Sequence, residues 1–153
     1  MGWFYGFKLH LIVNEKGDLL SVKLTPGNIA DRDRSVRKVL TKNIVRKLFG
    51  DKGYLCAPLF KLLWKQGLQL ITKLKKNMAN KLMPWMDKIL LRKRAIIESI
   101  HDELKNMCQI EHTRHRSPIN FLVNLFSGLI AYTFFPKKPS IRGSQFFQLN
   151  LLA

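Results

Sequence analysis

Near the start of the chain Phe7, Leu9, Leu11 and Val13 alternate with Lys8, His10 and Ile12. A period of two sends successive side chains to opposite faces, so residues 3–13 are predicted to form a strand. Residues 19–24 predict the returning strand of a hairpin, because the loop Asn14-Glu15-Lys16-Gly17-Asp18 offers Gly17 for a positive φ. Thr25-Pro26-Gly27-Asn28 reads as a turn, with Pro26 presetting φ and Gly27 in the left-handed position. Asp31 or Asp33 then caps a short helix through Val36, Val39 and Leu40. Residues 45–49 form a short apolar strand running into Gly50-Asp51-Lys52-Gly53-Tyr54, where the glycines permit a sharp turn and close approach of a ligand. Asp51 in that setting is either a helix cap or Asx-turn residue or a reactive acid with room around it. Residues 55–66 predict a helix with Pro58 in its first turn, Leu59, Phe60, Leu62 and Leu63 inward, and Gly67 as its stop. Residues 68–74 predict a further strand.

The period then lengthens. Ile89, Ile96, Ile97, Ile100, Leu104 and Met107 recur at helical spacing, which predicts one helix over residues 87–107 with Asp87 as its N-cap. Arg94, Glu98 and Lys105 fall within about 40° of one another on the flank of that stripe. One carboxylate thus lies beside two cations, an arrangement shared by a solvated face with ordinary ion pairs. Residues 119–135 are apolar but short for a membrane span, and Asn120, Asn124 and Ser127 share nearly one face. They predict a buried core helix with a polar edge, stopped by Pro136 and Pro139.

Composition adds a partner. The chain has 153 residues, 46% hydrophobic and 24% charged, enough for one folded domain. Lys and Arg number 27 against 10 Asp and Glu, a formal net charge of +17. So lopsided a charge implies a polyanion, nucleic acid before an anionic membrane. Lys73, Lys75, Lys76, Lys81, Lys88, Arg92 and Lys93 form a basic run interleaved with Trp85, Met78, Met83 and Met86. The opening Met-Gly-Trp-Phe-Tyr-Gly lacks the layout of a signal peptide, and Cys56 and Cys108 read as reduced thiols. Cys108, His112 and His115 do not have the spacing of a zinc finger.

Three segments carry a resemblance, in order. Residues 2–20 with the Thr-Pro-Gly-Asn-Ile-Ala-Asp turn resemble a strand pair and loop of the DDE transposases of bacterial insertion sequences. Gly-Asp-Lys-Gly-Tyr resembles the motif of that family's second catalytic Asp. Arg94, Glu98 and Lys105 match three of the four positions of its Y-(2)-R-(3)-E-(6)-K motif, with Leu91 at the Tyr position. His-Thr-Arg-His-Arg-Ser-Pro resembles the segment before its last helix.

The resemblance implies an α/β, RNase H-like mixed sheet with flanking helices over residues 1–138, followed by a tail at 139–153. It implies DNA transposition by phosphoryl transfer, with Asp51 and Glu98 as catalytic acids and ligands of two Mg²⁺ or Mn²⁺ ions. Arg94, Lys105, Lys52, Arg114 and Arg116 would orient the site or hold DNA phosphate. The family's first acid lies on a strand before the hairpin, so the sheet is expected to lack its central strand and the chain to be an inactive fragment. The expected partners are DNA and either a second copy or a companion chain supplying that strand, in a bacterial cytoplasm at the nucleoid, with no membrane. A non-catalytic basic module on nucleic acid is the alternative.

Overall fold

The computed structural model describes residues 6–30, 33–54, 57–73, 83–92, 95–111, 114–141 and 150–152; the side chains of Lys52 and of residues 150–152 lie outside that description.

Strands β1 (Phe7–Asn14) and β2 (Leu19–Pro26) form the expected antiparallel hairpin, with Leu11 opposite Val22. Asn14 closes the loop: its Oδ1 accepts from the backbone N–H groups of Lys16 and Asp18, each at 2.9 Å. Gly17 takes a φ of 80° there. Gly27 does not adopt the left-handed conformation expected of it. It is needed for space, since a Cβ would come 2.9 Å from the Gly6 carbonyl oxygen that accepts its N–H at 2.7 Å.

Asp33 is the cap of α1 (Arg34–Leu40), its Oδ1 accepting from Ser35 N at 2.8 Å and Val36 N at 3.4 Å. That satisfies N–H groups which a helix start otherwise leaves open. Asp31, the other candidate, is outside the described residues. β3 (Arg46–Gly50) pairs in parallel with β4 (Leu68–Thr72), and α2 (Ala57–Lys65) crosses between them. Gly67, at φ 72°, ends that crossover as expected. Leu59 and Leu63 are buried, but Phe60 points outward, as does Val39 of α1.

A third strand segment joins these halves. β5 (Asn150–Leu152) completes the order β2-β1-β5-β3-β4. It runs antiparallel to β1, with Ile12 opposite Leu152, and parallel to β3, with Phe49 opposite Leu151. The expectation of an empty central position is therefore corrected. Backbone groups of two inward-facing strands need partners, and this apolar segment supplies them. Residues 136–141 lead toward it across the hairpin loop: Lys138 Nζ reaches Asp18 at 2.7 Å, and Ile141 N–H donates to the Glu15 carbonyl at 2.9 Å.

Strand alternation divides the core into two layers. Ile12, Leu48 and Leu70 pack with Val36, Leu40, Leu59 and Leu63 on the face covered by α1 and α2. Their neighbours Leu11, Val13, Phe49 and Ile71 pack on the opposite face with Ile97, Ile100, Leu104, Leu129 and Tyr132.

Of the single helix expected over residues 87–107, the structure describes α3 (Trp85–Arg92), α4 (Ile96–Asp102) and a π-helical turn (Glu103–Met107), with residues 93 and 94 outside the described residues. The Cys108 N–H donates to the Glu103 carbonyl at 3.0 Å, five residues back, which is the widened ring of a π-turn. Ile97, Ile100 and Leu104 are buried as expected, whereas Ile89 and Met107 are exposed. Asp87 is not a cap either. It sits inside the first turn of α3, 3% exposed, where Lys47 Nζ donates to both its oxygens at 2.8 and 3.0 Å.

The last helix, α5 (Pro118–Thr133), is also not the buried helix with a polar edge that its composition suggested. Leu125, Gly128, Leu129 and Tyr132 face inward, while Ile119, Val123, Phe126 and Ile130 form an exposed apolar stripe. Gly128 lets it pack closely, since a Cβ there would meet Ile110 Cγ2. Among the described residues no helix is long and apolar enough to cross a membrane.

Candidate active site

Asp51 follows the last residue of β3 and opens a 3₁₀ turn over Lys52–Tyr54. Its carbonyl accepts the Tyr54 N–H at 3.0 Å, so the turn is fixed by the backbone and the carboxylate is left exposed at the carboxyl end of the strand. Neither Gly50 nor Gly53 has a positive φ. A Cβ on Gly50 would touch Tyr54, Leu70 and Thr72 at 3.4–3.8 Å, so this glycine serves close packing under the turn. A Cβ on Gly53 would meet nothing within 4 Å, so packing does not require a glycine there. The Arg37 guanidinium stands 6.0 Å from the centre of the Tyr54 ring and ties the turn to α1.

Glu98 lies in the first turn of α4, exposed, between the buried Ile97 and Ile100. Those two isoleucines share a core layer with Phe49, two residues before Asp51. His101, one turn on from Glu98, is half-buried, and burial first and Lys105 second lower its affinity for a proton, against the pull of Glu98.

The cations expected around Glu98 divide differently. Arg94 and the Lys52 side chain lie outside the described residues, as do Lys75, Lys76, Lys81, Lys93, Met78, Cys56 and His112. Lys105 falls within the π-turn and reaches Glu111 Oε2 at 2.9 Å. A π-turn carries more residues per revolution than an α-helix, so the 100° arithmetic that aligned Lys105 with Glu98 fails across it. Arg114 and Arg116 are exposed in the approach to α5. Lys105 and Arg116 are brought together in the wall of one cavity, along with His101, Glu111 and His115.

Two carboxylates are suitable donors for a hard divalent cation, which takes oxygen ligands and retains waters. Among the described residues no group of three or more His, Cys, Asp or Glu side chains is gathered as a metal site. Nothing in the residue pattern signals the π-turn or the half-buried acid that starts it. Glu103 Oε2 is buried without a hydrogen bond among the described residues, and burial followed by Asp102 raises its pKa.

No curated protein and no solved structure matches the chain. Residues 1–118 match the family model described as a transposase DDE domain, a span that contains β1 to α4, Asp51, Glu98 and the π-turn; the chain belongs to the transposase DDE-domain family.

Proposed function

We propose that this chain acts in DNA transposition through metal-dependent phosphoryl transfer at the ends of an insertion sequence, with Asp51 and Glu98 holding the divalent ions. The observation that carries this reading is the exposed Asp51 at the carboxyl end of β3, inside a family match that also spans Glu98. Mg²⁺ or Mn²⁺ supplies the polarisation of a phosphoryl oxygen when bound. The chain's own part is to hold the ions through two carboxylates and to bind DNA with its excess of 27 basic over 10 acidic residues. The sheet order supports an RNase H-like arrangement, since its central strand is antiparallel to one neighbour and parallel to the other.

The exposed apolar stripe of α5 supports self-association as the setting for that activity. Sedimentation of the chain beside Val123→Glu tests it: a heavier species lost in the variant supports the reading, and a monomer throughout removes it.

Manganese binding followed by electron paramagnetic resonance is the direct test of the site. Asp51→Asn and Glu98→Gln should each weaken binding about tenfold, the loss of one of two charged ligands. Unchanged binding in both variants would transfer the reading to the alternative, a non-catalytic module on nucleic acid. That alternative is favoured by the high positive charge. It predicts a salt-sensitive DNA affinity indifferent to both acids.

A further inference from the structure

Between α1 and α2 lies a cavity of about 490 Å³. Arg34 and Arg37 of α1 and Lys61 and Lys65 of α2 line it, and Pro58, Leu59 and Leu62 give it an apolar wall. Four cations thus share one cavity, with no acid among the described residues that line it. The crowding follows from helical spacing. Residues three or four apart lie on one helix face, so Arg34 joins Arg37 and Lys61 joins Lys65, and like charges so placed are destabilising. Arg37 is buried and engaged with the Tyr54 ring, so it adds charge at depth. Arg34, Lys61 and Lys65 are exposed and form no ion pair among the described residues. Elsewhere carboxylates answer the lysines: Asp87 holds Lys47, Glu111 holds Lys105 and Asp18 holds Lys138.

An anion in the cavity relieves that repulsion, and the layout of the cations says which kind. They are spread over two helices, which suits a row of charges better than a single ion. Lys61 and Lys65 stand one turn apart, about 6 Å along the axis, and each DNA strand offers a phosphate about every 3.4 Å of its own axis. No aromatic ring lines the cavity among the described residues, so it offers contact to a phosphate backbone and none to base faces. Its Leu59 belongs to the core layer of Ile12, Leu48 and Leu70, while Ile97 and Ile100, which flank Glu98, belong to the opposite layer. The sheet therefore stands between this cavity and Glu98.

We infer that the α1–α2 cavity is a DNA-backbone contact separate from the candidate active site, seating successive phosphates of a duplex on Arg34, Lys61 and Lys65. The choice of DNA among polyanions rests on the transposase reading; the seat itself rests on the three exposed cations.

The test uses the full chain in buffer with a chelator, so that metal binding plays no part. A fluorescent duplex is titrated by anisotropy over a range of salt. Arg34→Gln, Lys61→Gln and Lys65→Gln should each weaken binding about fivefold and each reduce the slope of log affinity against log salt by about 0.9. Lys38 is exposed on α1 but does not line the cavity. Lys38→Gln removes the same charge from the same helix and should change that slope by less than about 0.3. None of the three cavity variants should lower the unfolding temperature of the DNA-free chain, because each removes a repulsion. Equal slope changes from Lys38→Gln, no change from the cavity variants, or weaker binding accompanied by a lower unfolding temperature would overturn the inference. Calorimetry with inorganic phosphate covers the other source of the same chemistry. Saturable phosphate binding that Lys61→Gln abolishes, with duplex affinity unaltered, would assign the cavity to a small anion and overturn the inference too. Failure of metal binding at Asp51 and Glu98 would leave these titrations unaltered, so the two readings fail separately.

Discussion

The two core layers are built from neighbouring residues of the same strands, yet they do different work. The layer under α1 and α2 is closed by regular structure: a capped helix, a crossover helix ended by Gly67 and a parallel strand pair. The opposite layer is covered by α3, α4, the π-turn and α5, and its outer surface carries Glu98, the cavity lined by Lys105 and Arg116, and the exposed stripe. Irregular helix geometry thus gathers on the side that carries Glu98. π-turns inside helices are often found at functional sites, because the extra residue redirects side chains that a regular helix would fix elsewhere.

The difference can be broken by paired core truncations. Leu104→Ala and Leu63→Ala each remove a fully buried side chain, one per layer, and each should cost about 2–5 kcal/mol in denaturant unfolding. Leu104→Ala should also weaken manganese binding by the molecules that remain folded, while Leu63→Ala should not. Equal effects on binding would mean that the layers are not functionally distinct.

A smaller effect is expected at the junction of β3 and α3. Asp87→Asn leaves Lys47 without its carboxylate partner, and a charge-assisted bond contributes about 1.5–3 kcal/mol. Because the Lys47 side chain is 40% exposed, solvent screening reduces this to about 1–2 kcal/mol. Thermal unfolding of the variant beside Asp87→Ala measures it.

The smallest effect separates the layers by pH. His101 in α4 binds a proton less readily when folded than its ordinary value of 6.5, chiefly because it is half-buried. Above that value both folded and unfolded chains carry it neutral, and its contribution is fully present. As the pH falls through 6.5 the unfolded chain takes up the proton first, so stability declines toward the depressed folded value. His101→Gln should flatten that part of the stability profile, measured by urea unfolding between neutral and mildly acidic pH. An unchanged slope would place the acid sensitivity elsewhere.

Much of the first layer could be read from the sequence because its signals are local. Asp33 caps, Gly17 and Gly67 take positive φ, and strand alternation fixes which residues of β1 and β3 face inward. Asp51 and Glu98 became candidate acids through the family resemblance, because a strand-turn setting and helical spacing alone also fit an ordinary cap and an ion-paired face. The second layer depended on tertiary competition. Nothing in the run from Asp87 to Met107 announces a π-turn, since the apolar period persists through it. Asp87 has the composition of a cap but is claimed by Lys47 from a distant strand. The apolar residues of α5 looked like core because hydropathy does not say which side of an all-apolar helix finds a partner.

The central strand carries a consequence for the order of assembly. The hairpin and the β3–α2–β4 unit are each made of segments close in sequence, so each can form early. β5 pairs Ile12 with Leu152, nearly the full length of the chain away, and bridges the two units. Closing so long a loop is entropically costly and brings only a few residues into register. Folding should therefore be limited by the arrival of β5, leaving a stage in which two preformed pieces expose apolar strand edges to chaperones and to one another.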